Sequence, residues 1–120
     1  MTAEEFLERT TDPEIRVLAS IVFSREGMTD ESIRRVTMLQ DLKLRFEKEI
    51  VHFYYRKGDG SLRSAYGTRD SNLIRQHVGE GKSETKGRQI RTFTYFDVGR
   101  GDWRSFRPEA IDRIDQEYAI

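Results

Sequence analysis

Four arginines carry the chemistry most open to this chain: Arg63, Arg69, Arg104 and Arg107, with Tyr66 and Trp103 close to them in the pattern. A guanidinium reads phosphate or carboxylate through a planar, bidentate fork, and an aromatic face stacks a base. The combination suits a nucleotide or a single-stranded nucleic acid, so these six are the candidate ligand-binding residues. The plainer alternative is also good. Arginine and aromatic side chains stack on each other structurally, and Asp97 or Asp102 can pair with Arg104 across a hairpin. Trp103 and Arg104 are neighbours in an alternating stretch and point to opposite faces. If Phe106 sits in the core, Arg104 leans inward beside it, and Trp103 faces out with Arg107.

Other chemistry is poorly served. Gly81-Lys82-Ser83 matches the end of a phosphate-binding loop, but the glycine needed five residues earlier is Gln76. The flanking strand and helix are not expected either. His52 and His77 are the only histidines, and neither has further metal ligands at a recognisable spacing. His52 is expected on the surface of a first strand. With no cysteine, disulfides, thiolate catalysis and cysteine metal sites are excluded together. No carboxylate pair or triad stands out, so no catalytic residue, metal or cofactor is expected.

The formal net charge of zero hides an asymmetry. Residues 1–49 carry 8 basic and 11 acidic groups, residues 50–107 carry 12 and 6, and residues 108–120 carry 1 and 4. The middle segment, at +6, is the cationic part of a neutral chain, which bears on partners and not on fold. A length of 120 residues suits one domain with one modest core. Seven Phe, five Tyr and one Trp supply that core. No apolar run approaches the roughly 20 residues of a membrane span. The acidic start MTAEEFLERTT is unlike a standard signal peptide, and a cytoplasmic location is expected.

Two hairpins must position the arginines. From Ile50 the apolar period is two: Val51, Phe53 and Tyr55 on one face, His52, Tyr54 and Arg56 on the other. Gly58-Asp59-Gly60 is a strong hairpin signal. The return strand, Ser61 to Gly67, places Arg63, Ala65 and Gly67 on one face. Small Ala65 and Gly67 suit a tight barrel interior or a close backbone approach. Thr68 to Val78 looks like a turn and a short helical piece. Gly79 to Gln89 contains no apolar side chain and reads as a flexible loop. Ile90 to Asp97 and Asp102 to Arg107 form the second hairpin, turning at Gly99-Arg100-Gly101. Pro108-Glu109-Ala110 suggests one tight helical turn, and Ile111 to Ile114 a short closing strand, followed by a disordered tail.

Before the hairpins, Thr2-x-x-Glu5 has capping-box spacing and opens a short helix, Ala3 to Arg9. Thr11-Asp12-Pro13-Glu14 starts a second, Pro13 to Arg25, stopped by Gly27. Its apolar positions wrap more than half the helix, so burial on two sides is expected. That helix covers an open end of the barrel or pairs with a second copy of itself. Thr29 caps a third helix with a stripe through Ile33, Val36, Leu42, Phe46 and Ile50. Val36 to Phe46 also alternates like a strand, but its length favours helix. A break or kink is expected near Thr37.

Two hairpins, a brief turn and a fifth strand describe a small SH3-like barrel. The strings VHFYYRKGDGSLRSAYGT and YFDVGRGDWRSFR also resemble a family of small Sm-like SH3-barrel proteins. That family is related to the ligand-sensing WYL domain and is common in phages and bacterial mobile elements. The pieces that carry the resemblance are Phe53-x-Tyr55, Asp59-Gly60, Arg63-x-Ala65-x-Gly67-Thr68, Tyr95-Phe96-Asp97 and Trp103-Arg104-Ser105-Phe106-Arg107. It covers roughly residues 50–116. It implies the barrel fold and an anionic ligand, and no catalytic residues.

The expected architecture is α+β: an N-terminal helical segment 1–49 packed on a five-stranded SH3-like barrel over 50–116, with a tail 117–120. The expected function is a non-enzymatic binding or regulatory module. Its nucleotide or nucleic-acid ligand would meet guanidinium groups gathered on one outer wall of the barrel. The rival is a protein–protein interaction module that docks a host or self partner through the helices, favoured by the neutral net charge. The chain would be a monomer or homodimer without membrane contact.

Overall fold

Each N-terminal helix begins where a side chain satisfies its first free N–H groups. In the computed structural model, which describes residues 1–78 and 90–115, Thr2 and Glu5 form a reciprocal capping box on α1 (Ala3–Arg9). The Asp12 carboxylate accepts the Ile15 N–H at the start of α2 (Pro13–Glu26), with Pro13 in the first turn. Gly27, at φ +86°, ends it. The Thr29 hydroxyl accepts the Ser32 N–H at the start of α3 (Asp30–Phe46). The expected break at Thr37 does not occur. Its hydroxyl donates to the Ile33 carbonyl at 2.7 Å, so the side chain is satisfied within the helix. Val36, Leu39, Leu42 and Phe46 are all buried, while Leu44 is exposed, which is the helical phase and not the strand one.

Five strands follow: β1 (Val51–Arg56), β2 (Leu62–Thr68), β3 (Phe93–Asp97), β4 (Asp102–Phe106) and β5 (Ile111–Ile114). Helix α4 (Ser71–Val78) joins β2 towards β3, and a 3₁₀ turn, Pro108–Ala110, precedes β5. The order across the antiparallel sheet is β4-β3-β2-β1-β5. Both expected turns stand. Gly60 takes φ +87° while Asp59 accepts from the Ser61 N–H and hydroxyl. In the second turn the Arg100 N–H donates to the Asp97 carboxylate. The period-two pattern also holds, with Val51, Phe53 and Tyr55 buried against alternating partly exposed residues. The readings made for the Gly79–Gln89 loop, for Gly81-Lys82-Ser83 and for the tail 117–120 lie outside the described residues. Among the described residues no helix is long and apolar enough to cross a membrane.

The core is aromatic, and a helix supplies part of it. Phe46, the last residue of α3, inserts its ring 5.6 Å from Phe53 and 5.9 Å from Phe93. Phe53, Tyr95 and Phe106 continue the cluster. Gly67 makes this possible, because a Cβ there would stand 2.7 Å from the Tyr95 ring, 3.0 Å from Phe53 and 3.3 Å from Phe46. The Phe46 carbonyl in turn accepts the Arg69 N–H and the Thr68 hydroxyl. Thus α3 closes one end of the barrel, and α2 packs outside it on α3 and the 3₁₀ turn. Burial of α2 on two sides is not observed. Ile15, Leu18, Ala19, Val22 and Phe23 are buried, but Val17 is 40 % exposed and Ile21 only partly covered.

An ion-pair cluster ties α2 to the rest. Glu14 takes two bonds of 2.8 Å from the Arg69 fork, and Lys43 on α3 reaches Glu14 at 3.0 Å and Asp12 at 2.7 Å. Burial works to raise the Glu14 carboxyl, but the hydrogen bonds and charge of Arg69 and then Lys43 outweigh it and hold the group below its ordinary value. Asp12 is likewise held low, with burial opposed by Lys43 and the Ile15 N–H.

Two predictions follow from this packing. Gly67→Ala forces three rings to move and should cost about 2 kcal/mol, read as a lower urea midpoint with an unchanged slope. Gly58→Ala, with nothing within 4 Å of the new Cβ, should be close to neutral. The folded carboxyl values of Glu14 and Asp12 lie below the unfolded ones, so the unfolded chain binds more protons in acid. Their contribution is complete above the ordinary carboxylate range of about pH 4 and is lost as the pH falls through the lowered values. Glu14→Gln should cost about 3 kcal/mol at neutral pH by leaving Arg69 without its partner, and should flatten the acid limb of the stability curve.

Candidate anion-binding groove

The end of the barrel away from Phe46 is open. The register between β1 and β5 slips at Tyr54/Tyr55, and β5 has no partner beyond Tyr55. A groove of about 340 Å³ therefore lies between the far end of β1 and β4. Its floor is Tyr55 and Phe106, whose rings stack at 4.5 Å and 16°. Four cations line it: Arg56 and Lys57 from the end of β1, Arg104 from β4, and Arg107 just after β4. The Arg56 guanidinium donates to the Gly60 carbonyl and lies 4.0 Å from Asp112. Arg104 is 3.8 Å from Asp97. Among the described residues neither Lys57 nor Arg107 has an ion-pair partner. Thr92 and Ser105 add hydroxyls to the wall.

Behind the floor runs a buried polar chain. The hydroxyls of Tyr55 and Tyr95 meet at 2.8 Å. Burial pushes the Tyr95 phenol well above its ordinary value, helped by the hydrogen bond to Tyr55, so it stays protonated. Beyond it Arg63 donates to Asp97 at 2.6 Å, and Asp97 is almost fully buried. Asp97 is thus one carboxylate between two guanidinium groups.

The six residues singled out from the sequence part company here. Arg104 and Arg107 come together in the groove. Arg63 points inward with Ala65 and Gly67 and is committed to Asp97. Arg69 is committed to Glu14 and the Thr94 carbonyl, with its guanidinium 4.5 Å over the Phe93 ring. The shared outer wall of four guanidinium groups is therefore replaced by two structural ion pairs and two groove cations. Trp103 packs edge-on against Phe96 at 5.7 Å, on the face opposite Arg104. Tyr66 lies on the outer face, 51 % exposed and stacked on His52. Phe106 is in the core with Arg104 beside it, as the alternation requires, but Arg107 lines the groove with Arg104 instead of facing out with Trp103. Arg56 and Lys57 were missed. Their signal is a pair of basic residues at a strand end, opposite the strand that carries Arg104 and Arg107.

Clustered cations at the mouth of a groove complement a phosphate or carboxylate group. Among the described residues no group of three or more histidines and carboxylates could hold a metal ion. The comparison with curated proteins returns no match, and neither does the comparison with solved structures. A family model described as WYL_2, Sm-like SH3 β-barrel fold, matches residues 39–112, from the later turns of α3 to the start of β5. With more than half of its length matched, from the helix that plugs the barrel to the strand that follows the groove, the chain belongs to the WYL_2 family of Sm-like SH3 β-barrels.

Proposed function

We propose that this chain is a binding module that takes an anionic ligand, a nucleotide or a nucleic-acid segment, in the groove between β1 and β4. The observation that carries the reading is the convergence of Arg56, Lys57, Arg104 and Arg107 on a floor formed by Tyr55 and Phe106. Phosphate neutralisation supplies the affinity. Arg63 and Arg69 support it indirectly, one behind the floor and the other at the junction with α2.

A second reading, docking of a protein partner or a second copy on the N-terminal helices, is favoured by Val17 and Ile21, which line a shallow depression on α2. Val17→Glu would then abolish self-association or capture of the partner while leaving the groove unchanged.

The groove reading is tested by titrating labelled single-stranded DNA and RNA at low salt and then at rising salt. With four cations available, the slope of log affinity against log salt should be no steeper than about −3. Lys57→Glu combined with Arg107→Glu should weaken binding at least about tenfold with an unchanged circular dichroism spectrum. Binding that is absent at low salt, or indifferent to added salt, removes the proposal.

A further inference from the structure

The outer face of β1 and β2 carries a second constellation that does not involve the groove. His52 Nδ1 is 2.9 Å from Asp115 Oδ2, and His52 Nε2 is 2.6 Å from Ser64 Oγ. The carboxylate of Asp115 can only accept, so Nδ1 carries the ring proton, and Nε2 then accepts from the Ser64 hydroxyl. The base is held firmly. The Asp115 backbone N–H donates to the His52 carbonyl at 2.9 Å, and the imidazole stacks on Tyr66 at 4.3 Å and 9° and meets Tyr54, tilted by 47°, at 4.8 Å. His52 and Asp115 are partly covered, whereas Ser64 is exposed. This is a nucleophile in hydrogen-bond reach of a base that is oriented by a third group. His52 is on the outer face of the first strand, as the alternation of β1 requires, and its two partners there come from distant parts of the sequence.

We infer that Ser64 is an activated nucleophile, with His52 as its general base and Asp115 as the residue that positions His52, and that it cleaves activated carboxylic esters with aromatic leaving groups. Ser64 Oγ attacks the ester carbonyl carbon as its proton passes to His52 Nε2. Asp115 stabilises the resulting imidazolium. Collapse of the tetrahedral adduct breaks the bond to the leaving oxygen, which departs with the proton from His52. Water then attacks the acyl-Ser64 ester, His52 removes its proton and returns one to Ser64 Oγ, and the carboxylic acid is released.

Two features of the face limit the substrate. Tyr66 and Tyr54 form an aromatic shelf beside His52, matched to a ring in the ester. The cation on this face is Arg113, whose guanidinium lies 4.1 Å over the Tyr54 ring and 3.7 Å from Asp112, with Tyr54 directly opposite Ser64 in the sheet. A single exposed cation already paired with Asp112 is a weaker device for an oxyanion than a pair of aimed backbone donors, the loss of one of which costs about 100- to 1,000-fold. Good leaving groups are therefore needed, and amides are excluded.

The test treats the full chain with a fluorophosphonate probe and, separately, with p-nitrophenyl acetate. The expected result is one covalent adduct mapped to Ser64, and nitrophenolate release that rises with pH as an imidazole base requires. Ser64→Ala should remove the adduct entirely. His52→Gln should slow labelling by about a hundredfold and flatten the pH profile. Asp115→Asn should slow labelling and displace the pH profile, which a merely structural contact would not do. Lys48→Ala, at an exposed position outside both sites, should label at the parent rate. No adduct at Ser64 in the folded parent chain, or equal labelling in His52→Gln, overturns the inference.

Discussion

The ring of Phe46 against the bare backbone of Gly67 is the contact on which the rest of the molecule depends. A helix that ends inside a barrel must find room for its last side chain, and only a residue without Cβ provides that room here. The contact fixes the end of α3 to β2, where the Phe46 carbonyl takes the Arg69 N–H and the Thr68 hydroxyl. With its backbone fixed there, Arg69 turns its fork to Glu14, and α2 is anchored in turn. One end of the barrel is thereby sealed. The other end lies about 17 Å away along β1, and that is where the groove opens.

The interior of the barrel is not purely apolar, and its polar chain explains how a groove of like charges is tolerated. Asp97 is buried and shared between Arg63 and Arg104. Breaking such a pair would leave an uncompensated charge in a low-dielectric setting, which makes Arg63 a poor ligand-binding residue despite its type. Arg104 is attached more loosely, at 3.8 Å, and is 40 % exposed. It can exchange a shared carboxylate for a phosphate at little cost, while Arg63 keeps Asp97 satisfied. The inward arginine thus releases the outward one.

Much of the fold was legible because it is written in local signals. Capping residues marked the helix starts, the period of two marked β1, and Asp59-Gly60 marked the first turn. The break expected at Thr37 was wrong because a β-branched hydroxyl can satisfy itself by bonding one turn back. The two-sided burial expected of α2 was wrong because hydropathy does not say how many neighbours a helix has. The site was harder to read for a different reason. Alternation assigns a side chain to a face but not to a partner. The acid that holds Arg69 lies 55 residues earlier in the chain, and the carboxylate behind His52 lies 63 residues later. Only the register of β1 with β2 and β5 brings Ser64, His52 and Asp115 into one relay.

Neutral net charge bears differently on the two faces. In physiological salt a field fades within about 8 Å, so, apart from Asp112 at 4.0 Å from Arg56 and Asp97 at 3.8 Å from Arg104, the acids elsewhere in the chain do not cancel the cations of the groove for a ligand already seated there. They do cancel the long-range pull that steers a charged partner inward. A ligand of the groove should therefore arrive at an ordinary diffusional rate and be retained by close contacts, with few phosphates neutralised and a shallow salt dependence. The Ser64 face depends still less on net charge. The reaction inferred there relies on two hydrogen bonds around one imidazole, at 2.9 and 2.6 Å, which are contact interactions and not effects of the overall field. One neutral barrel can in this way carry a cationic groove and a nucleophilic face without either being tuned by the other.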